Sequence, residues 1–547
     1  MTNRTWIVAA SLVAAAALGL TGCAVASGGT IVATASASSS ADAGDLSPDA
    51  VLAANADATV VNDDEWSESD AVDVTLSGST ASSSSDGVAV DGATITITAA
   101  GVYRLTGRLD GQVVVDAPED ALVVLILDGV TISSSTTAAI AVVSADDVAV
   151  HLADGTTNTL SDASSYADDA EVNAALFSTE DLTIGGDGAL IVHGNGNDGI
   201  VSHDDLVILS GDITVTSADD ALQGKDSLIV QGGTLDLTAG GDAMKSNQDS
   251  DATKGYVAIE GGDITIASGD DGIQAATDIV MQGGTATISA GSVPTTEQQT
   301  SKGLTAGQVV AIGGGTLTIT KSYEGIEGFD IAIAGGQISI TSSDDGLNGS
   351  TGGQSTTSTT AQGGMGGDMS DGGEQILITG GELTIDAEGD GLDSNGSATI
   401  AGGTVTIWGP TVNDNGALDT NGSLTVTGGT LIAAGSTGMA ETPDTDSAQG
   451  WVAATVSGSA GSSIEVRDAA GTVLASFTAA KAFASIVYSS STVQSGADYT
   501  FVVDGASTTA TSEQAISGGM GGGFGGGAGG AGPSGGGPGG GMPGQQP

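Results

Sequence analysis

The chain has 547 residues, with 67 Asp and Glu against 10 Lys and Arg, and a formal net charge of −57. That balance excludes nucleic acid and bare anionic membrane surfaces as partners. A single cysteine excludes an intramolecular disulfide and any thiolate metal centre, and His151, His193 and His203 are too scattered for a histidine site. The acids are not in blocks. They recur between short β-branched runs, which predicts a fold that places carboxylates rather than a disordered acidic chain.

In chain order, Arg4 precedes an apolar run from Trp6 to Leu20 that ends in Leu20-Thr21-Gly22-Cys23. A run this short, with small residues before a cysteine, reads as a lipoprotein signal peptide over 1–22 with Cys23 as the acylated first mature residue. The expectation is an extracellular protein held to the cell membrane only through that lipid. Residues 23–62 are rich in Ala, Ser and Asp and read as a tether. A parallel β-helix is expected over 63–434, its first part irregular, followed by a small β domain over 435–516. The Gly-rich tail 517–547 reads as disordered.

The β-helix expectation rests on a repeat. Gly-Gly followed by an alternating apolar and Thr/Ser strand recurs as GGTLDLTAG from Gly232, GGDITIASG from Gly261, GGTATISAG from Gly283 and GGTLTITKS from Gly314. It continues as GGQISITSS from Gly335, GGELTIDAE from Gly380, GGTVTIWGP from Gly402 and GGTLIAAG from Gly428. Gly261 and Gly283 are 22 residues apart, and Gly314 and Gly335 are 21 apart. A period of this length with short alternating strands is what one turn of a parallel solenoid needs. In Asp263-Ile264-Thr265-Ile266 the isoleucines face in and the threonine out. Extra residues, as in 247–254, 293–300 and 349–374, fall after the acidic turn and should leave the register intact.

Alignment on the Gly-Gly corners also aligns the acids. One column holds Asp198, Asp220, Asp242, Asp271, Lys302, Glu324, Asp345 and Asp390, and three residues on lie Gln223, Gln274, Glu327, Asn348 and Asp393. Equivalent residues of neighbouring repeats are about 4.8 Å apart, where two carboxylates repel by about 1 kcal/mol even in water. Oxygen ligands without Cys or His select a hard cation, and Ca2+ is the expected cofactor. The metal candidates are Asp198, Asp219, Asp220, Asp242, Asp270, Asp271, Asp344, Asp345, Asp390 and Asp393. Asp-Gly turns also cap backbone amides, an alternative reading of the same residues.

The phrases AAGVYRLTGRLDGQVVVDAPEDALVVLILDGVTI from Ala99, GYVAIEGGDITIASGDDGIQA from Gly255, KSYEGIEG from Lys321 and SDDGLNG from Ser343 closely resemble one family. It is the secreted carbohydrate-binding domain family of bacterial calcium-dependent β-helix proteins, akin to polysaccharide lyases. The similarity runs from about Asp86 to the segment around Phe477, Lys481 and Phe483. The resemblance implies a right-handed helix, bound calcium, and a cellulose-like or pectic polysaccharide partner without catalysis. SKGL departs from it, with Lys302 in place of the column acid. Tyr323, Glu324, Glu327 and Trp408 are the ligand-binding candidates; Tyr323, Phe329 and Trp408 are the best candidates for exposed aromatic platforms, with ordinary packing the alternative reading of each. A calcium-dependent lyase is the second reading, with Lys225 or Lys245 as base. A calcium-stiffened adhesive stalk is the third.

Overall fold

The computed structural model describes residues 44–516 except 168, 295–299 and 351–370. The signal peptide, Cys23, the Gly-rich tail and most of the 349–374 insertion lie outside the described residues. The described chain is all-β apart from one short α-helix and one 3-10 turn.

A regular repeat contributes three short strands, the second and third running on as one in Leu304–Ile312 and Ile326–Ile333, and each strand pairs in parallel with its equivalents in the neighbouring repeats. The first ladder contains Asp212–Ser217, Thr234–Thr238, Asp263–Ala267 and Thr285–Ser289 in unbroken register. It continues through Thr316–Lys321, Gln337–Ser342, Glu382–Ala387, Thr404–Trp408 and Thr430–Gly435. The second begins just after the acidic turn, with Asp198–Ser202, Leu222–Gly224, Met244–Ser246 and Ile273–Ala275 among its members. The third includes Asp205–Ile208, Ser227–Val230, Tyr256–Ile259 and Ile279–Met281. Ile331 pairs with Ile376 across the long insertion, so the added residues leave the register unchanged.

Alternation drives this arrangement. In Asp263–Ala267 the two isoleucines are buried while Asp263 and Thr265 are exposed. Apolar side chains of all three ladders meet in one continuous core, so each repeat buries its apolar side only against its neighbours. The Gly-Gly corner works as the sequence implies. Gly262 has φ +88°, and a Cβ on Gly261 would sit 2.4 Å from the Gln231 carbonyl oxygen. The first glycine is required by close approach and the second by a left-handed backbone.

The first repeats are longer and less regular. Val72–Gly78, Gly101–Leu109 and Leu122–Ser133 pair in parallel, beside an antiparallel hairpin of Val88–Asp91 and Thr94–Ile97. Past Gly435, Phe483–Ser489 pairs antiparallel with both Thr430–Gly435 and Trp451–Gly458. A four-stranded antiparallel sheet made from 463–511 completes this region. Its core takes in Trp408 and Ile432 from the last repeats, and Lys481 Nζ bonds Asp386 Oδ1 at 2.8 Å and the Ala387 carbonyl at 2.6 Å.

The expected tether is overturned for its described part. Residues 45–62 form an ordered strap that runs back across the third ladder. Pro48 opens the helix Pro48–Ala54 with its ring-fixed φ, and Asp49 lies at the positive end of the helix. Val51 packs with Val280 and Ala311. Asn55 Nδ2 donates to Asp278 Oδ2 at 2.9 Å, Tyr256 Oη to the Ala56 carbonyl at 2.9 Å, and the Thr59 amide to Asp205 Oδ2 at 2.9 Å. Val51→Asp would set an unpaired carboxylate against two apolar side chains, costing about 2–4 kcal/mol of local stability. Amide exchange over 48–62 should then accelerate while the ladders stay protected; unchanged protection of the strap would refute this account of its packing.

Candidate metal and ligand site

The column follows from the turn that links the first and second ladders. An acid is followed by Gly or Ala, then by the first apolar residue of the next strand. The small residue is required because the turn presses on both its neighbours. At Gly272 a Cβ would lie 2.4 Å from Ile288 Cγ2 and 2.6 Å from the Gly303 carbonyl oxygen.

The column acids are linked by their own hydrogen bonds. Asp198 Oδ1 accepts from the Asp220 amide at 3.1 Å, Asp220 Oδ1 from the Asp242 amide at 2.8 Å, and Asp242 Oδ1 from the Asp271 amide at 3.0 Å. Asp271 Oδ1 accepts from the Lys302 amide at 2.6 Å, Asp345 Oδ1 from Asp390 at 2.7 Å, and Asp390 Oδ1 from Gly416 at 2.5 Å. The amide-capping role of these turns is therefore real, and it engages one oxygen of each carboxylate. The second oxygen can take another partner: that of Asp198 accepts from Asn173 Nδ2 at 2.9 Å, and those of Asp220 and Asp242 meet the Lys245 ammonium.

Burial and like charge raise the proton affinity of these carboxyls. Burial, reinforced by the Asp220 and Asp219 charges, pushes the Asp198 carboxyl up to about 7. Burial and the neighbouring carboxylates push Asp220 up to about 6 and Asp345 to about 8; they raise Asp390 and Asp393 to about 7. Asp271 is raised well above the ordinary range, chiefly by burial. Burial and crowding of the carboxylates together favour the protonated form, with Lys245 opposing the shift at Asp220.

The companion positions also fall in one register: Gln223, Lys245, Gln274, Thr305, Glu327, Asn348, Asp393 and Asp419. Lys245 Nζ lies 3.0 Å from Asp220 Oδ2 and 2.9 Å from Asp242 Oδ2. Lys302 Nζ lies 2.7 Å from Glu327 Oε2. Among the described residues, none of Glu324, Asp344, Asp345, Asp390 and Asp393 forms an ion pair.

Three sets of acids bring ligand oxygens within 4.8 Å of one another: Asp242, Asp270 and Asp271; Glu324, Asp344 and Asp345; and Asp181, Asp204 and Asp205. The first two join residues singled out from the sequence, with Glu324 taking a place among metal-type oxygens rather than only ligand contacts. The third was not anticipated. It lies at the start of the third ladder, out of phase with the column, and its only signal was the doublet Asp204-Asp205. Burial raises Asp204 to about 7 and Asp181 to about 6. The donors around Glu324 suit a hard cation, since they are all oxygens. Asn348 donates through Nδ2 to Glu324 Oε2 at 3.1 Å, while its buried Oδ1 has no partner.

Two ligand-binding expectations are corrected. Trp408 is 5% exposed and packed into the C-terminal core with its ring centroid 6.4 Å from that of Phe477, so it offers no stacking face. Glu327 is buried, with Oε2 paired to Lys302 and Oε1 accepting from Ser350 Oγ at 2.7 Å. Tyr323 is half-buried; its bond to Asp344 pushes the phenol up to about 12. It lines a cavity with Ser301, Lys321, Ser322 and Ser343, next in sequence to the Glu324 cluster. Asp219 is exposed beside Asp220.

Parallel ladders carrying an aligned column of carboxylates define an all-β repeat protein with oxygen-only acidic clusters. Residues 91–346 match the model of a family described as carbohydrate-binding domain-containing protein, the family that the motifs resemble. A carbohydrate-binding domain-containing protein of Acetivibrio thermocellus is 42% identical over 135 residues, 24% of this chain and 47% of that protein. The chain thus spans about half the length of that relative. A solved structure, the gadolinium derivative of the polysaccharide lyase-like protein from C. thermocellum, is 34% identical with a TM-score of 0.42. The match covers 44% of this chain and 96% of that one.

Proposed function

We propose that the chain winds as a right-handed parallel β-helix and binds polysaccharide of the cellulose or uronic-acid type, without catalysis. In this reading it is anchored outside the cell through lipid on Cys23. Calcium would be held chiefly by Glu324, Asp344 and Asp345, with Asp390 and Asp393 of the next repeat adding negative charge. The observation that carries the reading is the convergence of Glu324, Asp344 and Asp345 beside the unpartnered Asn348 Oδ1, with no lysine or arginine among the described residues in an ion pair with any of the three acids. A bound cation would supply the charge through which an acidic protein can accept a uronate carboxylate. Tyr323 and Lys321, in the adjoining cavity, would then meet the sugar.

The lyase reading loses one of its two candidate bases. Lys245 is held by two carboxylates that push its ammonium well above the ordinary lysine range, which suits a fixed cation and not a proton acceptor. The chain from residue 24, mixed with polygalacturonate and with cellulose, should bind in calcium and release polyuronate in chelator, with no unsaturated product absorbance. Asp345→Asn combined with Glu324→Gln should weaken calcium-dependent binding at least tenfold. Polyuronate binding that survives both chelation and this pair of substitutions would rule out the mechanism.

A further inference from the structure

We propose that Lys245 and Lys302 are tethered counter-ions occupying places that a metal would otherwise fill, so that the acidic column is divided in two. Lys245 serves Asp220 and Asp242 and Lys302 serves Glu327, whereas Glu324, Asp344, Asp345, Asp390 and Asp393 depend on an external cation. The division rests on the calcium reading above only for its second half.

The geometry of Lys245 is that of a bridging cation. Its ammonium contacts the outer oxygens of Asp220 and Asp242, which belong to successive repeats, at 3.0 and 2.9 Å. The inner oxygen of each already accepts a backbone amide. The two aspartates are 7% and 4% exposed at their side chains and the lysine 25%, so solvent screens the contact little. Lys245 stands in register between Gln223 and Gln274, neutral residues that could carry no such charge. Lys302 enters from the acid column itself, donating its amide to Asp271 Oδ1 and its ammonium to Glu327 in the companion column.

Downstream the pattern reverses. Positions equivalent to Lys245 hold Asn348, Asp393 and Asp419, and those equivalent to Lys302 hold Glu324, Asp345 and Asp390. Carboxylates about 4.8 Å apart repel more strongly near protein than in water; here Lys302 reaches Glu327 and Lys481 reaches Asp386 and Glu388 at the edge, but among the described residues no lysine pairs with Glu324, Asp344, Asp345, Asp390, Asp393 or Asp419. The same device recurs outside the column, where Lys254 Nζ bonds Asp226 Oδ2, beside the Asp181, Asp204 and Asp205 cluster.

Amide exchange of the full chain in calcium and in chelator tests the division. Amides of 198–275 should exchange alike in both, while those of 382–420 should exchange at least tenfold faster in chelator. Lys245→Gln, which copies the residues on either side in the column, should make 220–245 chelator-sensitive and add one calcium per chain by equilibrium dialysis. Lys245→Met serves as the second variant if the amide side chain disturbs folding. Upstream acceleration equal to that downstream would overturn the division while leaving calcium in place. No acceleration anywhere would remove the calcium on which the second half depends. A Lys245→Gln chain that loosens at 220–245 and takes up no calcium would reduce the lysine to an ordinary ion pair.

Discussion

In chelator, the protein should lose thermal stability as the pH rises from about 5 to about 8, the reverse of ordinary acid denaturation. A carboxyl whose folded pKa lies above its unfolded value near 4 binds its proton more tightly in the fold. Its stabilisation is complete below the unfolded value and is lost as the pH climbs through the folded one. Asp220 at about 6, Asp198, Asp390 and Asp393 at about 7, and Asp345 at about 8 all act in this direction. Each tenfold gain in proton affinity on folding is worth about 1.4 kcal/mol before screening, so together these groups should lower the melting temperature by on the order of 5 °C or more. Calcium, bound as proposed, would compete with the protons and flatten or invert the slope. Calorimetry at both pH values, with calcium and with chelator, decides the matter; a chelated protein that gains stability toward pH 8 would contradict the charge crowding described for the column.

The repeat and its columns are legible in the sequence because they are local and periodic. Gly-Gly corners fix where each first-ladder strand begins, and an acid-Gly step follows at constant distance. The register found for Gln223, Gln274, Glu327, Asn348 and Asp393 is therefore the one that spacing alone implies. The strap over 45–62 is not legible in this way. Its few apolar residues have no period, and what orders them is an apolar outer surface supplied by Val207, Ile229, Tyr256 and Val280, far along the chain. Trp408 fails for a related reason. Its position in a strand gives a face, but whether that face is covered depends on residues beyond 435 that fold onto the last repeats. Lys245 lies in plain view beside an acidic turn, yet its role depends on which oxygens of two separate repeats remain after their amide bonds are made.

Gly391→Val should be among the most damaging single substitutions in the chain. A Cβ at Gly391 would lie 2.2 Å from Ile407 Cγ2 on the buried side and 2.6 Å from the Ala417 carbonyl oxygen of the next repeat. Neither can retreat freely: Ile407 is fully buried in the continuous core, and the Ala417 carbonyl accepts from the Leu392 amide at 3.2 Å. The equivalent position is alanine at 221, 243 and 417, so one methyl can be accommodated where the facing side chain has been fitted to it. Gly391→Ala should accordingly cost about 1–3 kcal/mol, in the range of overpacking in a close-packed interior. Valine adds two branches at the same point and should cost more than about 4 kcal/mol. Because each repeat is supported only by its neighbours, the damage should spread along the ladders and expose the amides of 382–426 first. Guanidinium melts of the two variants, read with amide exchange, would show the graded loss. Equal stability of Gly391→Val and the unaltered chain would mean that successive repeats do not press on one another at this turn, and the tight spacing that crowds the column acids would lose its cause.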